Sequence, residues 1–316
     1  MDRISMSSLR DRYSMIQLDA AARRTLKAPI SAVGRGLHSG ADVRLTLRPA
    51  ALNTGIVFRR TDLERDIPAK FDNVTDTRLC TLISRGDAKI GTIEHLMAAL
   101  AAAGVDDLIV EVDAPELPVF DGSAAPFLFL IESAGVIEHG GARPVLEILR
   151  PVRVEQNGAF AELRPHADGG TGFDISLSIE FAARAIGAQA YHFNLSTAGF
   201  ADEIARARTF TQRGEIEALR QAGLARGGSL ANAVVVDDDK IMNPEGLRYA
   251  DEFVRHKLLD VIGDLYLAGA PISGRFIGSR TGHALNNQLL RAVYADQANY
   301  RLATGALEAP LQLTAA

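Results

Sequence analysis

Polar side chains recur at four-residue intervals in the segment 252–267. His256, Asp260 and Asp264 follow one another at this spacing, and apolar residues between them recur at helical intervals. Side chains four residues apart lie on one helical face, so His256 and Asp260 point to a common spot. Such a pair suits a divalent metal ion such as Zn²⁺. The alternative is a helix whose His and Asp are merely solvated or capped.

A second imidazole lies beside a carboxylate at the start of another predicted helix, residues 92–101. Thr92 can cap this helix and Gly104 can end it. Glu94 and His95 are neighbours, so their side chains point about 100° apart and can flank one metal ion. His95 would be a ligand and Glu94 a base. Taken alone, such a pair is common.

The two helices together offer three metal ligands, His95, His256 and Asp260. Two His and one carboxylate with an open position form a recurrent catalytic zinc site, in which the metal lowers the pKa of bound water from ~15.7 to about 7. Glu94 would then accept a proton from that water. Spacing alone leaves open whether the two segments meet.

The composition is that of a globular protein. The chain has 316 residues, 47% of them hydrophobic, which is enough for two domains with separate cores. Its net charge of −5 and its lack of long like-charge runs give no sign of a nucleic-acid partner, and no obligate protein partner is evident. Cys80 is the only cysteine, which excludes an intramolecular disulfide and a Cys-based zinc cluster.

The N-terminal residues mix charges with apolar side chains, so they lack the hydrophobic core of a signal peptide. No stretch approaches 18 uninterrupted apolar residues, and we therefore predict no transmembrane segment and a cytoplasmic location. We interpret residues 1–24 as a loosely ordered extension and residues 306–316 as a tail.

The hydrophobic pattern predicts an α+β fold of two similar domains, each packing helices against β-sheets. Alternating residues predict strands, and a glycine-rich break at 138–144 predicts the boundary between them. The domains are 25–140 and 141–305, the second carrying a β-α-β insert at 207–239. Further predicted elements are strands at 77–83 and 107–112 and helices at 124–133, 213–222 and 284–300.

Both halves place a His-bearing helix after several strands, which indicates a structural duplication with a ligand site between the domains. The glycine-rich loop 34–40 has the wrong spacing for a nucleotide fingerprint, and we interpret it as a tight turn. His38 is expected to be exposed on this loop and to contact a ligand if the loop lines a cleft.

Five motifs extend this pattern over most of the chain. They are T-I-E-H-L at 92–96, D-G-S-A-A-P-F at 121–127, A-R-T-F at 207–210, D-E-F-V-R-H-K-L-L-D at 251–260 and S-R-T-G-H-A-L-N-N at 279–287. In this order they resemble the zinc-dependent UDP-3-O-acyl-N-acetylglucosamine deacetylase family of lipid A biosynthesis. The resemblance runs from about residue 25 to residue 300.

The resemblance implies hydrolysis of the N-acetyl group of UDP-3-O-acyl-N-acetylglucosamine, giving UDP-3-O-acyl-glucosamine and acetate. This is the committed step of lipid A biosynthesis in the cytoplasm of a Gram-negative-type bacterium. It implies one Zn²⁺ per chain, held by His95, His256 and Asp260, with Glu94 as the general base.

The resemblance also assigns the remaining catalytic roles. His283 would stabilise charge and protonate the departing amine, with Asp264 hydrogen-bonded behind it. Thr209 would donate to the oxyanion, while Lys257 and Phe210 would contact the sugar and its phosphates. A carboxylate behind an imidazole also makes independent sense, because it fixes the tautomer and raises the pKa.

The substrate contacts follow from the same resemblance. The insert corresponds to the family's acyl-chain passage, although ordinary core packing would also explain its small and apolar residues. They are Ile216, Ala225, Gly228, Ser229 and Val235. We also expect Leu79, Cys80 and Phe181 to contact substrate.

The nucleotide region departs from the family pattern. Relatives carry a His-Pro pair soon after the phenylalanine that corresponds to Phe181, where this chain has Ala182 and Ala183. They also often carry a basic residue in the strand pair near Ala159. Arg184 is the candidate substitute.

Two other functions compete with a deacetylase. A non-catalytic zinc or sugar-nucleotide binding module of the same fold predicts loss of Glu94, Thr209 or His283, yet all three are present. A metalloprotease predicts a His-Glu-x-x-His helix, which the chain lacks.

Overall fold

The computed structural model describes residues 22–167 and 169–304. Runs of consecutive strands form several separate sheets, and the helices pack beside them, which confirms the α+β class; the division into two similar domains stays a prediction. No helix in the described ranges has the length and apolar character needed to cross a bilayer. The longer helices are α1 (Glu94–Ala103), α2 (Ala125–Ala134), α3 (Arg213–Gln221), α4 (Glu252–Tyr266) and α5 (His283–Tyr294).

The first half of the chain builds a five-stranded sheet and a three-stranded sheet. The five-stranded sheet has the order β2-β3-β9-β4-β5, with β4 and β9 parallel, and the small sheet has the order β6-β7-β8. The strands are β2 (Ile30–Arg35), β3 (Asp42–Pro49), β4 (Ile56–Arg60), β5 (Arg65–Pro68), β6 (Val74–Asp76), β7 (Leu82–Arg85), β8 (Ala88–Ile90) and β9 (Leu108–Val112).

A two-stranded ribbon joins the two ends of the predicted first domain. β1 (Ala22–Leu26) pairs antiparallel with β10 (Val136–Ala142), so residues 22–24 and most of the glycine-rich segment 138–144 lie in strands, while the domain boundaries stay a prediction. Arg23 is buried because its guanidinium pairs with Asp107, with an Nη2–Oδ1 distance of 2.6 Å. Residues 1–21 and the tail lie outside the described residues.

The second half builds a seven-stranded sheet. Its main path is β12-β13-β19-β11-β20, and β14 pairs with both β15 and β19. The strands are β11 (Pro144–Ile148), β12 (Val152–Gln156), β13 (Ala159–Arg164), β14 (Phe173–Glu180), β15 (Ala188–Asn194), β19 (Ile272–Ser279) and β20 (Tyr300–Thr304).

The predicted β-α-β insert forms. β16 (Phe210–Gln212) runs parallel to β17 (Val234–Asp237), with α3 between them, and β18 (Lys240–Ile241) adds an antiparallel third strand. Its loop docks on the first half of the chain, where Gly227 N–H donates to the Leu37 carbonyl at 3.0 Å.

Helices α1 and α4 pack against each other in the buried core. A Cβ atom on Gly263 would lie 2.0 Å from the Glu94 carbonyl oxygen, so only glycine permits this approach. Both helices are largely buried, including Leu96, Leu100 and Leu258. Because the His-bearing segments cross here, their polar side chains face one another.

Three predicted elements differ from the structure. The strand predicted at 77–83 begins only at Leu82, because Thr81 bonds two carboxylates of the site and not a neighbouring strand. Thr92 does not cap α1; Ile93 is the N-cap and its side chain makes no capping bond. The final helix ends at Tyr294, and the chain returns as β20 to pair with β11. The prediction that Gly104 ends α1 is confirmed, since it is the left-handed C-cap.

Candidate active site

Three potential metal ligands converge where α1 meets α4. One ligand atom from each of His95, His256 and Asp260 lies within 4.8 Å of the others, and all three residues are buried. Asp260 Oδ1 lies 3.5 Å from His256 Nε2 and 3.9 Å from His95 Nε2. Two atoms that each lie ~2.0–2.1 Å from a shared Zn²⁺ cannot be more than about 4.2 Å apart, and both distances satisfy this limit.

Two of these residues, His256 and Asp260, are also held by hydrogen bonds through their second polar atom, as is usual for metal ligands. His256 Nδ1 lies 3.0 Å from the Ala207 carbonyl, which orients Nε2 toward Asp260. The second oxygen of Asp260 accepts a hydrogen bond from Lys257 Nζ at 2.7 Å. His95 Nδ1 is buried and has no hydrogen-bond partner among the residues that the structure describes. The donor set therefore fits a divalent ion such as Zn²⁺.

The charge states also suit metal binding, which needs neutral imidazoles and an ionised carboxylate. Burial and the neighbouring His256 lower the pKa of His95 to about 3, and burial lowers the pKa of His256 as well. For Asp260, burial opposes ionisation, but Lys257 and His256 hold its pKa below the ordinary value. The pKa of Lys257 is raised, because its contact with Asp260 outweighs burial.

Glu94 is a buried carboxylate beside this cluster. Its Oε2 accepts a hydrogen bond from the Thr81 backbone N–H at 3.0 Å. Burial raises the pKa of Glu94 to about 7; the charge of His283 opposes the shift, and the Asp260 and Asp264 carboxylates add to it. Glu94 can therefore exchange a proton near neutral pH.

His283 faces the cluster from the start of α5, with Asp264 behind it. The His283 Nδ1 to Asp264 Oδ2 distance is 2.8 Å, and Asn286 Nδ2 donates to the same oxygen at 2.8 Å. Thr81 Oγ1 donates to Oδ1 at 2.5 Å. Burial alone would lower the pKa of His283, but the charge and hydrogen bond of Asp264 raise it to about 9. The imidazole is thus held as a cation at neutral pH.

One cavity of 310 Å³ joins these groups. Of the residues predicted from the sequence, all three ligands and Glu94, His283, Thr209, Lys257, Phe210, Leu79, Phe181 and His38 line it. Asp264 lies behind His283. Neither Cys80 nor the insert residues Ile216, Ala225, Gly228, Ser229 and Val235 are among the lining residues, and the structure does not bring them to this cavity. Burial raises the pKa of the Cys80 thiol to about 12.

His38 corrects the expectation of an exposed loop residue. The side chain is half-buried, and both ring nitrogens are buried with no hydrogen-bond partner within residues 22–167 and 169–304. Burial lowers the pKa of His38, with Glu116 opposing the shift. It lines the cavity because the loop 34–40 folds inward under the insert.

A buried ion pair positions Thr209 and Phe210. Arg208 Nε donates to Glu252 Oε1 at 2.8 Å, and both side chains are almost fully buried. Thr209 N–H donates to the Gly122 carbonyl at 2.8 Å. The Phe210 ring packs edge-on against those of Phe181 and Phe253, with centroid distances of 5.5 and 4.9 Å.

Sequence reasoning missed several residues of the site. Leu37, Thr92, Thr211, Gln212, Glu215 and Thr281 also line the cavity. Thr281 lies within a recognised motif and could have been found there; Thr81 and Glu116 carry no local signal, because only tertiary contacts bring them to the site.

The structure leaves Arg184 away from the cavity lining. Its side chain is 70% exposed and pairs with Asp238 and Asp239. The proposal that it substitutes for a missing basic residue therefore gains no support from its contacts.

A family model and three similar proteins are all described as deacetylases of an acylated UDP-amino sugar. The family model for UDP-3-O-acyl N-acetylglycosamine deacetylase matches residues 23–295. UDP-3-O-acyl-N-acetylglucosamine deacetylase of Legionella pneumophila (strain Corby) is 49% identical over 279 residues, covering 87% of this chain and 90% of that protein. The proteins of that name from Shewanella sp. (strain W3-18-1) and Sodalis glossinidius (strain morsitans) are 48% and 49% identical, each covering 92% of this chain and 96% of the relative.

Proposed function

The chain belongs to the UDP-3-O-acyl N-acetylglycosamine deacetylase family, and we propose that it hydrolyses the N-acetyl group of UDP-3-O-acyl-N-acetylglucosamine. The products are acetate and UDP-3-O-acyl-glucosamine, in the biosynthesis of lipid A. The observation that carries this proposal is the meeting of His95, His256 and Asp260 with Glu94 and His283 around one cavity. We place the reaction in the cytoplasm, where the family's pathway implies it.

The metal in this proposal is one Zn²⁺ per chain, held by His95, His256 and Asp260. When bound, it would polarise the acetyl carbonyl and lower the pKa of the attacking water. Both effects are needed because an amide is a poor electrophile and water a poor nucleophile.

The protein's own side chains move the protons. Glu94 accepts one from the attacking water, since a buried carboxylate with a pKa of about 7 is a base near neutral pH. His283 donates one to the amine nitrogen as the C–N bond breaks, with Asp264 holding its Nδ1 so that the other ring nitrogen can face substrate. The Thr209 hydroxyl donates a hydrogen bond to the acetyl oxygen, which gains negative charge as water attacks the carbonyl.

Substrate contacts complete the proposal. Lys257 and Phe210 contact the sugar and its phosphates, and His38, Leu79 and Phe181 line the same cavity. The acyl chain runs toward the insert, whose β16 begins at Phe210.

The test measures acetate release from UDP-3-O-acyl-N-acetylglucosamine by the whole chain, before and after treatment with a chelator. We expect turnover, its loss on chelation, and its return with added Zn²⁺. UDP-N-acetylglucosamine, which lacks the acyl chain, is the matched control and should react more slowly. Substrate binding without acetate release would favour the non-catalytic module, and unchanged turnover in metal-free protein would refute the metal mechanism.

A further inference from the structure

Glu116 is a buried carboxylate outside the cluster of metal ligands. It is 4% exposed, and no ion pair of the residues in the described ranges includes it. Its oxygens accept hydrogen bonds from the His38 and Ser39 backbone N–H groups at 2.9 and 2.8 Å, and from the Ser39 and Thr92 hydroxyls at 2.7 and 2.9 Å. Such hydrogen bonds offset the cost of burying a carboxylate, and here they come from two separate segments, one at Thr92 and one at residues 38–39.

The first segment that Glu116 holds is the turn before α1. Thr92 has a φ of +57°, a conformation that β-branched residues rarely adopt and that surrounding contacts must maintain. Thr92 lies two residues before Glu94 and lines the cavity. The backbone beside Glu116 clamps the same turn, because Gly91 N–H donates to the Pro115 carbonyl and Leu117 N–H donates to the Gly91 carbonyl. This turn connects β8 to α1 and so sets the direction in which α1 begins, with Glu94 and His95 in its first turn.

The second segment is the loop 36–40. A Cβ atom on Gly36 would lie 2.4 Å from Glu116 Oε2, so this glycine leaves the space that the carboxylate fills. Leu37 and His38 of the loop line the cavity. One carboxylate therefore reaches the two cavity walls that carry Glu94 and His38.

We propose that Glu116 is a positioning residue for the deacetylation, and this inference rests on the proposed function. Its bond to Thr92 aims Glu94 and His95, and its bonds to Ser39 and His38 hold the loop against the substrate. The two sets of bonds should affect different kinetic constants: the Thr92 bond acts on kcat and the Ser39 bond acts on KM.

The test compares steady-state kinetics of three variants. Glu116→Gln keeps the shape but cannot accept from both Thr92 and Ser39, which bond different oxygens, and an amide oxygen is a weaker acceptor than a carboxylate for the bonds that remain; kcat should fall about 10- to 100-fold and KM should rise. Thr92→Val should lower kcat with KM unchanged, and Ser39→Ala should raise KM with kcat unchanged. Glu111 lies on β9, a few residues before Glu116, and pairs with Arg48. Glu111→Gln is therefore the matched control and should change neither constant.

A purely structural role would lower the melting temperature but leave kcat per folded molecule unchanged. The double variant Glu116→Gln/Thr92→Val should be no slower than Glu116→Gln, because both remove the same bond; multiplying effects would overturn the proposal. Zn²⁺ affinity, measured by competition with a chelator, should fall in Glu116→Gln and Thr92→Val as His95 shifts, and wild-type affinity with wild-type kcat would also overturn it. If the wild-type chain releases no acetate, the proposed function fails and the affinities alone decide the positioning role.

Discussion

At the scale of single residues, Glu94 and His283 have raised pKa values for different reasons. Burial favours the neutral form of the Glu94 carboxyl, whereas the Asp264 carboxylate favours the cationic form of His283. Two groups with pKa values of about 7 and about 9 can serve as base and acid in the same pH range. The environment of each side chain thus suits it to the role we propose for it.

The proposed base role of Glu94 predicts that its replacement lowers activity without loss of bound metal. Glu94→Gln removes the proton acceptor but keeps the side-chain volume, so kcat for acetate release should fall about 10²- to 10⁴-fold. Bound Zn²⁺, measured by metal analysis after gel filtration, should stay at the wild-type level. Glu132→Gln, an exposed change on α2, is the control, and a Glu94→Gln variant with near-normal kcat would refute the role.

The proposed acid role of His283 predicts that activity falls on the basic side of the pH profile. An acid must be protonated, and His283 is protonated below its pKa of about 9, so kcat/KM should fall as pH rises through 9. Asp264→Asn removes the charge that raises this pKa, and the fall should move to lower pH. His283→Gln should abolish it, while exposed His192→Gln should leave it in place. An unchanged basic limb in His283→Gln would contradict the assignment.

At the scale of elements, the site depends on how closely α1 and α4 approach. Gly263 lies against the backbone of Glu94, and this contact brings His95 into reach of His256 and Asp260. The ligands on α4 follow from helical periodicity within one segment. Their contact with α1 follows only from the packing of two segments far apart in the chain.

Gly263→Ala should separate the two helices. Its added methyl group would overlap the Glu94 carbonyl, so the free energy of unfolding should fall by about 1–3 kcal/mol and kcat should fall with it. Denaturant titration and acetate release measure the two effects. Gly214→Ala on the exposed helix α3 is the matched control, since the added Cβ would meet nothing within 4 Å. Because alanine favours helix more than glycine does, this change should raise the free energy of unfolding by up to about 1 kcal/mol. Equal effects of the two changes would exclude the packing argument.

At the scale of the whole molecule, the candidate metal ligands come from distant parts of the chain. His95 precedes the predicted domain boundary, and His256 and Asp260 follow it. An ion that binds only the folded state stabilises it by mass action. Metal binding should therefore be coupled to folding of the whole chain.

Added Zn²⁺ should raise the melting temperature of the chelator-treated protein. At a free concentration 100 times Kd the stabilisation is about 2.7 kcal/mol. His95→Ala and His256→Ala should each lose most of this shift in differential scanning calorimetry, although the two residues lie on different helices. His192→Ala should retain it. A full shift in both ligand variants would place the ion elsewhere.

Periodicity, spacing and motifs are local properties, and they were enough to predict the α+β class, the β-α-β insert and the candidate metal ligands. Which side chains meet depends on the packing of segments that are far apart in the chain. Thr92 is predicted as a helix cap. In the structure it is a turn residue with a positive φ, and its hydroxyl donates a hydrogen bond to Glu116, which is distant in the chain. His38 was predicted to be exposed, yet its ring is enclosed because the insert docks on its loop. Burial and long-range hydrogen bonds depend on neighbours that no local pattern specifies, and those neighbours set the protonation states on which the proposed chemistry depends.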